Sequence, residues 1–217
     1  MLNVVIIILS FLLLVALLCH EKKEDQKKAL VTKSILSLLF VITALLQPHP
    51  VPTYYHFLLA GLILCFFGDV CLALSGNKIF QLGLVTFLLG HVFYIFSFLS
   101  RVKFSLWISL DTFIIFAVST MIFLWLRPYL KSMLLPVLAY ILVITLMLCG
   151  AWTFSQKTSF PVLGRVLIFA GAFCFYTSDI FVARDRFMMK EYLNRLIGLP
   201  LYYSGQFLLA FSVGLLE

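Results

Sequence analysis

The chain has 217 residues, of which 63% are hydrophobic and 12% are charged, and its formal net charge is +7. Soluble domains are about half apolar and about a quarter charged, so a globule of this size has too little interior to hide so many apolar side chains. The composition excludes a soluble globular protein and predicts a single transmembrane domain over residues 1–217.

Eight apolar runs follow one another, each long enough to cross about 30 Å of hydrocarbon at about 1.5 Å per residue. They predict an all-α polytopic membrane protein with helices at Leu2–Cys19, Ala29–Leu46, Tyr54–Leu74, Ile79–Leu99, Phe104–Leu126, Tyr129–Trp152, Phe160–Ala183 and Tyr192–Leu215. The connections are short, so consecutive helices are expected to be antiparallel. The second span contains Lys33, which is expected to lie at the membrane edge and reach the headgroups, and a re-entrant or tilted segment is the alternative there.

The five cysteines lie within or at the ends of apolar spans: Cys19, Cys65, Cys71, Cys149 and Cys174. Their number is odd, and no CxxC pair is present, so neither a disulfide framework nor a cysteine metal site is predicted. No cofactor or metal is expected.

The positive charge is unevenly distributed between the two ends of the predicted bundle. The connections after the odd-numbered spans hold or adjoin twelve of the sixteen Lys and Arg residues, and the other connections hold four. By the positive-inside rule, this asymmetry predicts that both termini lie on the non-cytoplasmic side. It also indicates anionic lipid headgroups, rather than nucleic acid, as the partner of these bases.

Functional residues are expected among the polar groups that remain in the membrane, because an ionised side chain at mid-bilayer costs at least about 2.5 to 3.5 kcal/mol. Asp69 in the third span and Asp179 in the seventh are predicted at one level, roughly 8 to 10 Å below the cytoplasmic helix ends. His91 and Gln206 are expected to lie deeper. Asp111 lies near the opposite side of the membrane and is interpreted as structural. Asp69, Asp179, His91 and Gln206 could together line a pocket that is open to the cytoplasmic leaflet.

The third and fourth spans resemble the seventh and eighth in the order of their polar residues. The matching blocks are Gly68-Asp69 with His91 and Tyr94, and Ser178-Asp179 with Tyr203 and Gln206. Because four helices separate the copies, such a repeat would be parallel, with its axis along the membrane normal.

These residues also resemble a known family. Its signature is similar to Gly61-Leu62, Gly68-Asp69, Phe80-x-x-Gly83-Leu84-x-x-Phe87-x-x-x-His91-x-x-Tyr94, Gly171-Ala172, Ser178-Asp179, Tyr203-x-x-Gln206 and Ala210-x-Ser212. On these motifs the chain, from Gly61 to Ser212, resembles the YhhN-like lysoplasmalogenases.

The resemblance implies a membrane-embedded hydrolase that cleaves the vinyl ether bond of lysoplasmalogens, releasing a fatty aldehyde and glycerophosphoethanolamine or glycerophosphocholine. One acid and one base suffice for that chemistry, and we predict that Asp69 and Asp179 are the catalytic pair. Which of the two is the acid stays open at this stage.

The remaining predicted substrate-binding residues fall into two groups. Polar groups that would orient the water and the glycerol hydroxyl are His91, Tyr94, Ser178, Tyr203 and Gln206. Bases that would hold the phosphate at the cytoplasmic rim are Lys78, Arg184, Arg186 and Lys190. Apolar, phenylalanine-rich walls would take the alkenyl chain.

Two alternatives stay open. The aspartates could form interhelical hydrogen bonds that only fix packing. A small proton-coupled transporter or lipid-translocating protein could instead use Asp69 and Asp179 to relay protons or bind a cation. The membrane is also undetermined, since a bacterial inner membrane and a eukaryotic endoplasmic reticulum impose similar hydropathy.

Overall fold

The computed structural model of the protein describes residues 1–74 and 76–216, which are helical throughout apart from turns and short connections. The eight α-helices are α1 (Leu2–Lys22), α2 (Gln26–Leu46), α3 (Pro52–Ala73), α4 (Asn77–Leu99), α5 (Leu110–Leu126), α6 (Leu134–Ser155), α7 (Val162–Ala183) and α8 (Tyr192–Ser212). Eight segments built on these helices are long and apolar enough to cross a membrane. The prediction of an all-α polytopic membrane protein is confirmed.

Local capping explains where the helices differ from the predicted spans. Asp25 accepts a hydrogen bond from the backbone N–H of Lys28, so α2 begins three residues earlier than predicted. This N–H and the Lys28 ammonium group lower the pKa of Asp25. Ser109 and Thr112 form a capping box, so α5 begins at Leu110 and not at Phe104. The second span is a continuous α-helix, and the re-entrant alternative is wrong.

Short helical turns lie at or next to the ends of three other predicted spans. Residues Arg127–Tyr129 and Lys131–Met133 form 3₁₀ turns, so α6 starts five residues later than the span predicted from Tyr129. Residues Val213–Leu215 form another 3₁₀ turn after α8, and Arg184–Met188 form a π-helical turn after α7. The turn after α7 forms part of the wall of the cavity described below.

Six helices form a ring around the interior of the bundle. Along the ring, α2 packs on α3, α3 on α4, α4 on α6, α6 on α7, α7 on α8, and α8 on α2. Helix α1 packs outside the ring against α2 and α8, and α5 packs outside it against α6. The ring thus consists of two three-helix halves, α2–α4 and α6–α8. The halves are joined at two equivalent places, by α4 on α6 and by α8 on α2.

The two most extensively packed helix pairs, α3/α4 and α7/α8, cross by the same glycine contact. A Cβ atom added at Gly61 of α3 would lie 2.9 Å from the carbonyl oxygen of Gly90 of α4, and the reverse distance is 3.1 Å. The corresponding distances between Gly171 of α7 and Gly205 of α8 are 3.0 and 2.8 Å. Only glycine permits backbones to approach this closely. The contact supports the predicted parallel relation between the two halves.

Contacts between connections identify the two ends of the bundle. Arg195 at the start of α8 pairs with Glu21 at the end of α1, and Arg186 after α7 donates to Asn77 at the start of α4. We call this end, which carries the connections after α1, α3, α5 and α7, the basic end. It holds the larger group of twelve Lys and Arg residues described above.

Candidate active site

A cavity of about 700 Å³ lies inside the helix ring and reaches the surface at the basic end. Its wall begins at exposed residues of the connections, such as Glu24, and extends inward to Tyr176 on α7. Asp69 of α3 and Asp179 of α7 both belong to this wall. The structure therefore brings the two predicted catalytic residues to one cavity, which opens at the end where the sequence predicted a pocket mouth.

Asp69 is surrounded by donors. The Lys33 ammonium group lies 3.1 Å from Asp69 Oδ1, and the hydroxyls of Ser37 and Tyr202 each donate to Oδ2 over 2.6 Å. The aspartate is 1% exposed and the lysine side chain 12% exposed. Three donors, one of them a cation, therefore contact this carboxyl group.

The prediction for Lys33 is wrong. Its side chain does not extend to the headgroups but turns inward to Asp69. The physical reason is that an interior carboxylate offers the ammonium group a partner, whereas an unpaired charge in hydrocarbon is costly. Lys33 and Ser37 are four residues apart and therefore share one face of α2. That spacing was the sequence signal for an inward-facing polar pair.

Three other predicted residues lie behind the wall and support the neighbours of Asp69. Tyr94 on α4 donates to Gln206 Oε1 over 2.8 Å, and Gln206 Nε2 donates to the hydroxyl of Tyr202 over 3.1 Å. The Tyr203 hydroxyl lies 3.1 Å from Ser37 Oγ. These groups hold Ser37 and Tyr202 in place, so they act on the aspartate indirectly rather than from the cavity wall. The predicted substrate-binding residues included Tyr203 but not Tyr202, its neighbour that makes the direct contact.

Asp179 has much simpler surroundings. Its one hydrogen-bond donor among the described residues is the hydroxyl of Tyr140 on α6, which lies 2.5 Å from Oδ2. No cation forms an ion pair with it in the described part of the chain. The sequence analysis did not single out Tyr140, because a lone tyrosine in an apolar span carries no spacing signal.

An apolar arm of the cavity lies beside Asp179. It is lined by aliphatic residues of α5, α6 and α7, namely Ile122, Leu126, Val137, Ile141, Ile144 and Ile180. Tyr176 belongs to the same part of the wall, and its hydroxyl is 2.7 Å from Ser119 Oγ, to which Thr145 donates over 2.8 Å. These aliphatic side chains are suited to a hydrocarbon chain, whereas Asp69 and Lys33 place charged groups in the wall contributed by α2 and α3.

His91 and Ser178 lie outside the cavity wall. His91 Nδ1 is 2.6 Å from the Phe87 carbonyl oxygen, which can only accept, so Nδ1 carries the proton. Its ring meets the Tyr140 ring edge to face, with centroids 5.4 Å apart. Ser178 Oγ donates within α7 to the carbonyl oxygen of Phe175. His91 therefore does not line the cavity. It packs against Tyr140, which contacts Asp179.

The mouth of the cavity contains two exposed bases. Arg186 and Lys190 both belong to its wall. The Arg186 guanidinium lies 4.1 Å from the centroid of the Phe80 ring and donates to Asn77 Oδ1 over 2.8 Å. Neither base forms an ion pair among the described residues, so both can bind an anion.

The other bases near this end are placed differently. Arg195 belongs to the wall but pairs with Glu21 and, over 3.5 Å, with Asp185. Lys78 is exposed at the start of α4, and Arg184 forms an ion pair over 3.2 Å in the α7–α8 connection. These last two predicted phosphate ligands are not brought into the described wall. Within residues 1–74 and 76–216, no cluster of three or more His, Cys, Asp or Glu side chains could hold a metal ion.

The fold and the cavity define a class: a polytopic integral membrane protein with two aspartates on one cavity that reaches the surface at the basic end of the bundle. Comparison with protein families matches residues 28–213 to the YhhN family. The chain belongs to the YhhN family, which includes lysoplasmalogenases. This match confirms the resemblance seen between Gly61 and Ser212 and extends it to the second helix. Comparisons with curated proteins and with solved structures gave no match.

Proposed function

We propose that the protein is a membrane-embedded hydrolase that cleaves the vinyl ether bond of lysoplasmalogens. The observation that carries this proposal is the contrast between Asp69 and Asp179, two carboxyl groups on one cavity with opposite surroundings. The first is bonded by a cation and two hydroxyls, and the second by a single hydroxyl beside an apolar arm. Pairs of carboxyl groups in different environments are what acid–base catalysis requires.

The reaction divides into a protonation and a hydration. A proton adds to the β-carbon of the vinyl ether, which leaves an oxocarbenium ion at the carbon bound to oxygen. Water adds to that carbon and loses a proton, forming a hemiacetal, which collapses to a fatty aldehyde and the glycerol hydroxyl. As the hemiacetal collapses, the protonated base gives its proton to the departing glycerol oxygen, and the ionised acid takes the proton of the hemiacetal hydroxyl. Both carboxyl groups thus return to their starting states, and the net reaction consumes one water. Glycosidases divide work between two carboxyl groups around a similar oxocarbenium-like state.

In this proposal Asp179 is the acid and Asp69 is the base. Asp69 is bonded as an anion and can accept a proton from the attacking water. Asp179 has no ion-pair partner among the described residues, and burial without a counter-ion favours the neutral form that donates a proton. Tyr140 holds the donating carboxyl group in place through its 2.5 Å hydrogen bond.

The residues that line the cavity also support this assignment. In a vinyl ether the β-carbon lies on the hydrocarbon side, and the glycerol lies on the other side of the oxygen. With the chain in the apolar arm of α5, α6 and α7, the β-carbon lies near Asp179. The glycerol then lies toward the polar side at Asp69, and the phosphate reaches Arg186 and Lys190 at the mouth.

We also propose where this chemistry takes place. The protein is an integral membrane protein, and a lysophospholipid can enter from the leaflet at the basic end. We propose the inner membrane if the source is bacterial and the endoplasmic reticulum if it is eukaryotic, with the basic end in the cytoplasm.

The test is aldehyde release from a lysoplasmalogen by the purified, detergent-solubilised protein. Asp69→Asn and Asp179→Asn are each expected to lose about 100- to 10,000-fold in kcat, the usual contribution of a general acid or base. Asp111→Asn is the matched control, because Asp111 lies at the opposite end of the bundle, where the Trp152 indole donates to it. This variant is expected to keep activity near wild type.

The outcomes distinguish a hydrolase from a transporter and test the two aspartates separately. An inert wild-type protein overturns the proposed hydrolase, and transport in sealed vesicles then becomes the reading to test, since hydrolysis needs no second compartment. An active wild type with either aspartate variant near full activity removes that aspartate from the chemistry. Melting curves of all variants show whether a loss reflects unfolding.

A further inference from the structure

Asp69 and Asp179 occupy equivalent positions in the two halves of the helix ring. Asp69 follows Gly61 by eight residues on α3, and Asp179 follows Gly171 by eight residues on α7. Both glycines make the helix-crossing contact described above. Each aspartate also receives its hydrogen bonds partly from the helix before its own, α2 in the first half and α6 in the second. An internal repeat therefore presents the same carboxyl group twice.

The neighbours of the two carboxyl groups break this equivalence. On the helix before its own, Asp69 contacts Lys33 and Ser37, whereas Asp179 accepts a hydrogen bond from Tyr140. Lys33 is the single cation that forms an ion pair with either aspartate in the described part of the chain. Its side chain is 12% exposed, and it belongs to the cavity wall.

We propose that Lys33 is the positioning residue that makes two equivalent aspartates chemically different. Its ammonium group keeps Asp69 ionised and fixes the carboxylate for attack by water, so that Asp179 alone carries the transferable proton. This inference rests on the proposed function and adds a residue to it. Lys33 acts through Asp69 and is not itself a proton donor to the substrate.

The geometry supports this role over two others. As a phosphate ligand Lys33 would compete with its own ion pair to Asp69 Oδ1, 3.1 Å away, whereas Arg186 and Lys190 in the wall form no ion pair among the described residues. As a purely structural ion pair it would not need to line a cavity. A lysine paired to a wall carboxylate inside the bundle is instead placed to set the charge of that carboxylate.

The other polar groups that face Asp69 do not replace the lysine. Ser37 on α2 and Tyr202 on α8 donate hydrogen bonds but carry no positive charge. Asp179 of α7 lies on the same cavity and is of like sign, and Cys65 lies one turn away on α3. No other base of the described chain lies within ion-pair distance of Asp69.

The first experiment is infrared difference spectroscopy on three variants, which reads the carboxyl groups whether or not the protein turns over. Lys33→Met is expected to gain the band of a protonated carboxyl group. The band should vanish in the double variant Lys33→Met with Asp69→Asn, which assigns it to Asp69. Lys27→Met is the matched control, because Lys27 is exposed on the first turn of α2 and lies outside the cavity wall. A Lys33→Met spectrum without a new band overturns the proposal.

The second experiment measures kcat and KM for the same proteins and for Lys33→Arg. Lys33→Met is expected to lower kcat about 100-fold, the scale of losing a general base, with KM changed less than about threefold. Lys33→Arg should recover a large part of kcat because it restores the charge. A loss confined to KM, or no recovery with arginine at wild-type melting temperature, rejects the positioning role.

The two proposals fail in different ways. If wild type releases no aldehyde but Lys33→Met shows the new Asp69 band, the hydrolase proposal is wrong and the effect of Lys33 on Asp69 stands. If wild type is active but the band is absent, the hydrolase stands and the role of Lys33 is wrong.

Discussion

Tyr140 on α6 and Asp179 on α7 are joined by a hydrogen bond of 2.5 Å, and the tyrosine ring is in turn held edge to face by His91 of α4. Three neighbouring helices thus converge on one carboxyl group. The bond orients Asp179 toward the cavity without supplying a counter-ion, which is the arrangement that a proton donor needs.

Removal of the Tyr140 hydroxyl is expected to lower kcat while substrate binding stays nearly the same. Tyr140→Phe keeps the ring and its contact with His91 but leaves Asp179 without its donor. A hydrogen bond between neutral groups is worth about 0.5 to 1.5 kcal/mol, so kcat should fall about 2- to 13-fold with KM nearly unchanged. Steady-state kinetics check this. Tyr129→Phe, at an exposed tyrosine before α6, is the control, and equal kcat for both variants would contradict the assigned role.

The glycine crossing of α3 and α4 predicts a strong effect of adding a single carbon. Gly61→Ala would place a Cβ atom 2.9 Å from the Gly90 carbonyl oxygen and 2.4 Å from the Tyr94 ring. Overpacking of this kind costs about 1 to 3 kcal/mol, and the melting temperature should fall accordingly. Val85→Ile adds one carbon on an exposed face of α4 and should leave the melting temperature unchanged. Equal stability of the two variants would show that the helices do not cross this closely.

The exposed bases at the mouth are expected to act on substrate binding alone. Arg186→Met and Lys190→Met each remove a charge from the rim, far from the reacting bond in the proposed orientation. Exposed ion pairs are worth up to about 1 kcal/mol, so KM should rise about two- to fivefold in each variant while kcat stays the same. Kinetics at two salt concentrations measure this, since screening should shrink the difference. Lys157→Met, at the opposite end, is the control; a change in kcat instead of KM would place the bases nearer the chemistry than proposed.

The distribution of Lys and Arg predicts the orientation of the bundle in the membrane. In a cysteine-free background expressed in the bacterial inner membrane, Lys157→Cys should react with a membrane-impermeant maleimide added to intact cells. Lys23→Cys, in the turn between α1 and α2, should react only after permeabilisation, because the basic end is expected in the cytoplasm. Labelling in the reverse order would invert the predicted topology and place the cavity mouth on the other side of the membrane.

The sequence alone determined the solvent and the element type of this protein. Long apolar runs must be helical in hydrocarbon because each backbone polar group has to be bonded within its own segment. Hydropathy therefore predicts eight helices, although not their ends, which local caps such as Ser109 decide. The cost of burying a charge in hydrocarbon likewise made Asp69 and Asp179 visible as candidate site residues before any helix was packed.

Only the tertiary structure decided which groups meet those aspartates. Lys33 and Tyr202 contact Asp69 from helices that are 36 and 133 residues away along the chain, and Tyr140 reaches Asp179 from a third helix. Hydropathy specifies the depth of a side chain but not its rotation toward one neighbour or another, because lipid and helix interior are equally apolar. The different surroundings of the two aspartates, and with them the assignment of acid and base, therefore follow from helix packing and not from the order of residues.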